Sequence, residues 1–217
     1  MLEAELPLFK RDWLKPKDDK DLASARGERR REDRVSLFIR PAKLIVDGAE
    51  YLCMLRDVSQ GGVKLQLFHA LPDGMHYEIE LPDGARHSLR HAWHQDRTYG
   101  FQITNPIELR AFIDAVSRSD HRKQFRIRRL ISGTICVGDD QAPMEIHNIS
   151  QQGALMTTDL HLALEQDVRL VTKVLPDIHA KIRWRRSPQY GLIFEEVFKL
   201  DRLAAYLGPA GHERQPR

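Results

Sequence analysis

Short runs in which alternate side chains are apolar dominate the chain from residue 35 onward. Val35, Leu37 and Ile39 alternate with polar or charged neighbours, the pattern of a half-buried strand. "EYLCML" (50–55) and "GVKLQLF" (62–68) predict two more strands. "PDGMHYEIELPDGARHSLRHAWH" (72–94) predicts strands broken by Asp-Gly turns, and "RTYGFQI" (97–103) closes the set. The same order then recurs in "ISGTICV", "APMEIHN", "GALMTT", "DVRLVTKVL", "HAKIRWRR" and "YGLIFEE". Many short strands with turn punctuation suggest small antiparallel barrels. Helical spacing of apolar residues appears twice. Ile107, Leu109, Phe112, Ile113 and Val116 form a stripe that connects the two sets, and "LDRLAAYLG" (200–208) repeats it, with Gly208 as a stop.

The recurrence is a duplication. "DVSQGGVKLQ" (57–66) aligns with "NISQQGALMT" (148–157), so Asp57 pairs with Asn148, Ser59 with Ser150 and Gly62 with Gly153, each 91 positions apart. Trp93 and Trp184, Tyr99 and Tyr190, and Gly100 and Gly191 keep the same offset. Upstream the offset is 92, from Arg30 to Arg122 and from Arg34 to Arg126, so one indel separates two copies of roughly ninety residues. Residues 1–28 precede the repeat. Lys15 to Glu28 is mostly charged and free of aromatics, which predicts disorder, as does the tail at 209–217. Leu6, Leu8, Phe9, Trp13 and Leu14 in that leader could dock on a partner.

Composition narrows the class. The 217 residues suit two modest domains, and 30% charged with 41% hydrophobic residues suits a soluble globular chain. No run of eighteen apolar residues is present to span a bilayer, and "MLEAELPLFKRDW" lacks the features of a signal peptide, so the expected location is the cytoplasm. Cys53 and Cys136, each in an apolar strand, read as buried free thiols. A net charge of +3 argues against a general nucleic-acid coat protein.

Two short elements carry candidate chemistry. Each copy opens with an Arg-x-x-x-Arg pair, "RREDR" and "RKQFR", whose ends share a face in helix or strand. Guanidinium forks suit phosphate oxygens and the O6/N7 edge of guanine, although one such run alone reads equally well as a solvated charge run. The second element is Asp/Asn-x-Ser-x-x-Gly after a strand. Its residue types make turns without any ligand, with Gly supplying a positive φ. In an extended segment, however, Asp57 and Ser59 share a face, where an acceptor can take the N1 and N2 protons of guanine and a hydroxyl can serve a phosphate. Arg34 to Asp57 spans 23 positions and Arg126 to Asn148 spans 22.

On those two motifs at that separation, the chain resembles the PilZ family, over residues 29–118 and 121–208. The resemblance implies a mainly β fold of two tandem six-stranded antiparallel β-barrels, each followed by an α-helix. It also implies binding of the bacterial second messenger cyclic di-GMP, with no further cofactor. Matched by position, Arg30, Arg34, Asp57, Ser59 and Gly62 would form site one, and Arg122, Arg126, Asn148, Ser150 and Gly153 site two. Arg29 precedes the first pair and His121 the second; either is a candidate accessory contact, and Arg29 could stack on a second guanine. The acids Glu28, Glu32 and Asp33 accompany the first arginines, whereas 121–130 carries Arg122, Lys123, Arg126, Arg128 and Arg129 with none.

Competing constellations are weaker. His87, His91 and His94 lie on a strand, where His94 should face away from the other two, and no Cys or carboxylate joins them; no metal site is expected. Trp93 and Trp184 read as barrel-strand residues rather than stacking platforms. GxSxG, HExxH and P-loop motifs are absent, so no enzymatic activity is expected. The leading reading is a cyclic di-GMP receptor that changes domain arrangement or partner contacts on binding. The alternatives are a nucleic-acid binder using 121–130 and an interaction module in which one copy no longer binds ligand. The downstream protein partner is unnamed by the sequence, and a homo-oligomer is left open.

Overall fold

A computed structural model describes residues 40–59, 61–81, 83–105, 108–110, 112 and 125–209. The expected leader, the strand at Val35–Ile39, most of the first helix and the C-terminal tail fall outside these residues.

The first barrel comprises β1 (Arg40–Val46), β2 (Ala49–Ser59), β3 (Gly62–Leu67), β4 (Tyr77–Glu80), β5 (Arg86–Gln95) and β6 (Thr98–Ile103). They close in the order β1-β2-β3-β6-β5-β4, with every neighbour antiparallel. The second comprises β7 (Ile127–Val137), β8 (Asp140–Ile149), β9 (Gly153–Thr158), β10 (Asp167–Thr172), β11 (Ile178–Arg186) and β12 (Gln189–Phe194). Its order, β7-β8-β9-β12-β11-β10, is the same closure. Strand β1 was not singled out by the alternation pattern because Arg40, Pro41 and Lys43 interrupt it, yet it stands 91 positions before "ISGTICV" in β7.

Alternation puts one face of each strand inside. Leu44, Leu55, Val63, Leu65, Ile79 and Phe101 fill the first barrel; Ile127, Ile135, Ile146, Ile149, Met156 and Ile182 fill the second. Both cysteines are buried and unbridged. Burial pushes the Cys53 thiol up to about 12, so it packs as a small apolar side chain. Helix α1 (Leu200–Tyr206) follows the second barrel and buries Leu203 and Ala204. Phe112, helical and 3% exposed, stands 91 positions before Leu203 and occupies the matching place against the first barrel's core.

The barrels share a polar joint. The Glu50 carboxylate on β2 accepts from the Arg128 backbone N–H and from Arg128 Nε, both at 2.7 Å, and pairs with Lys43 at 3.2 Å. Lys43 in turn pairs with Glu80 at 2.8 Å, and Glu80 with Arg86 at 2.8 Å. This chain of ion pairs runs from β5 across β4, β1 and β2 to β7. Arg129 stacks its guanidinium 5.7 Å from the Tyr51 ring centroid and donates to the Leu207 carbonyl. Leu52 and Phe68 of the first barrel pack into the second barrel's core.

Candidate ligand-binding site

The Asp/Asn-x-Ser elements reach the outer wall of each barrel through a bulge. On β2 the register passes from Leu55↔Leu65 to Asp57↔Lys64, leaving Arg56 unopposed. On β8 it passes from Ile146↔Met156 to Asn148↔Leu155, leaving His147 unopposed. Strict alternation from buried Leu55 or Ile146 would turn Asp57 or Asn148 into the barrel; the extra residue returns it outward. Asp57 and Ser59 then share the outer face, with Val58 between them paired to buried Val63.

The two motifs use their polar atoms differently. The Ser150 backbone N–H donates to the Gly153 carbonyl at 2.8 Å, and its hydroxyl to the same oxygen at 3.2 Å. Ser59 pairs with Gly62 in the ladder, yet its Oγ is buried with no hydrogen-bond partner among the described residues. Asp57 Oδ1 accepts from the adjacent Val58 N–H, whereas Asn148 Oδ1 is buried and has no partner among the described residues. Neither Gly62 nor Gly153 has a positive φ, contrary to the turn expectation. Gly153 is needed for another reason: a Cβ there would fall on the Leu192 carbonyl oxygen of β12, well inside contact distance.

Arg126 immediately precedes β7. The register Ile127↔Ile149 brings it level with Ser150, although 24 positions (126 to 150) separate them in sequence. Both line one cavity of about 650 Å³, together with Phe125, Gly153, Arg183 and Trp184. Its far wall is formed by the first barrel. Arg183 is paired with Glu165 at 2.7 Å. Arg29, Arg30, Arg34, His121 and Arg122 lie outside the described residues, so of the four expected motif arginines only Arg126 is placed. Of the residues expected to form site one, Asp57, Ser59 and Gly62 are described.

Trp184 is a barrel-strand residue, as expected, but it also lines the cavity, which sequence reasoning missed. Another bulge, between Ile182 and Trp184 on β11, turns it outward, where it lies across Gly191 and stays 42% exposed. Trp93 lies across Gly100 in the same way after the bulge between His91 and Trp93. The repeated Trp–Gly spacing was the available signal. That bulge also corrects the histidine expectation. His94 does not face away from His91: their rings stack at 5.9 Å, because the unopposed Ala92 resets the alternation. Among the described residues, no three His, Cys, Asp or Glu side chains converge as a metal would require.

Electrostatically the cavity is mixed. Burial opposes ionisation of Glu80, but hydrogen bonds from Lys43 and Arg86 outweigh it and hold its carboxyl below the usual carboxylate range. Arg126 and Arg183 stand on the opposite wall.

A sequence model of the PilZ domain matches residues 28–116 and again 120–207. None of the curated proteins matches the chain. Among solved structures, the chain is similar to the PlzA protein of Borreliella burgdorferi in complex with c-di-GMP. That pair is 12% identical, covers 79% of this chain and 89% of PlzA, and has a TM-score of 0.34. It is also similar to YcgR of Escherichia coli in complex with c-di-GMP, at 14% identity, 81% and 87% coverage and a TM-score of 0.31. The Bacillus subtilis inhibitor of motility (MotI/DgrA) is similar at 12% identity, 84% and 100% coverage and a TM-score of 0.34.

Proposed function

The chain belongs to the PilZ domain family in both of its halves, and from that premise we propose that it is a receptor for cyclic di-GMP rather than an enzyme. Arg126 and the Ser150–Gly153 turn meet on the wall of one cavity, and that observation carries the reading. A guanidinium offers charge and paired donors to a phosphate or a guanine edge, and an exposed indole offers a stacking face. The cavity volume falls within the range of small-molecule sites, roughly 300–1,000 Å³. Arg30, Arg34, Asp57, Ser59 and Gly62 form the first site, and Arg122, Arg126, Asn148, Ser150 and Gly153 the second. Binding shifts the chain toward the barrel arrangement that holds ligand better, and so alters its contacts with a downstream protein.

The nucleic-acid reading is disfavoured. Of the five basic residues in 121–130, Arg128 is paired with Glu50, and Arg129 is engaged with Tyr51 and the Leu207 carbonyl. Two of the five cations are thus committed to the joint between barrels.

Calorimetry with cyclic di-GMP on the wild type, Arg34→Ala and Arg126→Ala tests the proposal. The expected result is saturable binding, with each variant losing its own site. Absence of binding by the wild type, alongside duplex DNA binding that weakens steeply with salt, would favour the nucleic-acid reading instead. Loss in only one variant would make the other copy an interaction module.

A further inference from the structure

The second cavity is not built by the second barrel alone. Lys43 from β1, Glu80 and Leu81 at the end of β4, and Gly84 in the turn before β5 form its opposite wall. We propose that the first barrel completes the second site: Lys43 contacts a ligand phosphate, Glu80 accepts from a guanine edge, and Glu50 acts as a positioning residue that sets the spacing of the two walls. This rests on the cyclic di-GMP reading of that site.

The chemistry of each wall supports the division of labour. Site one has a carboxylate of its own in Asp57. Site two has Asn148 at that position, a neutral side chain that does not line the cavity. Guanine presents N1–H and N2–H donors on one edge, and a carboxylate is the strongest acceptor for such a pair. Glu80 brings one from the neighbouring barrel. Oε1 accepts one bond, from Lys43, and Oε2 accepts two, from Nε and Nη2 of Arg86, so the acceptor left for a guanine edge is the second lone pair of Oε1. Lys43 has three N–H donors, and its two ion pairs with Glu50 and Glu80 occupy two of them. Its side chain is only 8% exposed, so its charge acts across poorly solvated space.

Glu50 does not line the cavity. It holds the backbone N–H and the side chain of Arg128, two residues beyond Arg126, and it holds Lys43 on the other wall. One buried carboxylate therefore ties both walls together.

The test uses the full chain with Arg34→Ala, so that only site two reports, and cyclic di-GMP as titrant. Lys43→Met and Glu80→Gln should each weaken binding roughly tenfold or more, the effect of losing a charge-assisted hydrogen bond. Lys43→Arg should restore most of it. Glu80→Gln should also narrow the preference for cyclic di-GMP over cyclic di-IMP, which lacks the 2-amino donors; a purely structural role would leave that ratio unchanged. In an Arg126→Ala background, site one should be indifferent to both changes. Affinity within twofold of the parent in both variants would overturn the inference while leaving the receptor reading intact. Absence of binding by the Arg34→Ala parent would overturn the receptor reading of site two, and the inference with it. Should Lys43→Met fail to fold, Glu80→Gln and its base preference decide alone.

Discussion

The two barrels share an order of strands and a pair of motifs, yet they solve local problems differently. In the second barrel the motif serine closes its own turn, with Ser150 donating to Gly153. In the first, Ser59 occupies the matching place on the ladder and its hydroxyl has no hydrogen-bond partner among the described residues. The turn therefore forms without that bond, and turn closure does not account for a serine in both copies. A similar contrast holds at position 50. Glu50 is buried because the second barrel covers it, while Gln141, its counterpart 91 positions on, is exposed. On β5 the exposed His91 stands where the second copy has Ile182, which is fully buried.

The joint offers the largest effect. Glu50→Ala should cost about 3 kcal/mol in urea unfolding, the low end for breaking a buried ion pair, because Lys43 keeps Glu80. Gln141→Ala should change stability by less than about 0.5 kcal/mol. Equal costs would mean that the covered carboxylate does not define the joint.

Exchanging the residues at this matched position comes next. Ile182→His should destabilise by about 2–3 kcal/mol, since apolar contacts are lost and a polar ring is buried. His91→Ile should be close to neutral at pH 8 and should matter in acid. Burial, helped by the charge of neighbouring His94, holds the His91 imidazole below its ordinary value of 6.5, and burial does the same at His69. The unfolded chain then takes up protons that the folded chain resists, so stability is unaffected well above pH 6.5 and falls as the pH drops below it. Thermal melts from pH 8 to pH 5 should show that fall in the wild type and a smaller one in His91→Ile.

The serines give the smallest stability effect. Ser150→Ala should cost about 0.5–1.5 kcal/mol, the net worth of its hydrogen bond, and Ser59→Ala about nothing. Both should weaken cyclic di-GMP binding at their own sites in calorimetry, which separates the ligand role from the turn role.

Much of this was legible in the sequence because duplication supplied a control. A single alternating run such as "HAKIRWRR" leaves helix and strand to be weighed, but its match to the Trp93 segment settles the strand. The motif residues could be nominated for the same reason. What escaped was whatever depends on a neighbour distant in sequence. Glu50 reads as an ordinary surface acid until Arg128, 78 positions on, folds across it. Trp184 reads as half of a barrel wall until a register shift exposes its indole to the cavity. The motif glycine can serve a positive φ or a close approach of the chain; neither Gly62 nor Gly153 has the positive φ, and the close approach at Gly153 is to β12, which leaves no mark on local composition.

The bulges at Arg56 and His147 also bear on how such a protein can drift. Each adds one residue ahead of a motif, and each motif faces outward only because that residue has no partner across the ladder. Deleting it would straighten the strand and keep Asp57 or Asn148 on the same face. A substitution that draws it into regular pairing would rotate the whole motif into the lumen, with no change in any motif residue. A copy can therefore fall silent while its signature stays intact, so the sequence signature is a weaker guarantee of ligand binding than the phase of the strand that presents it.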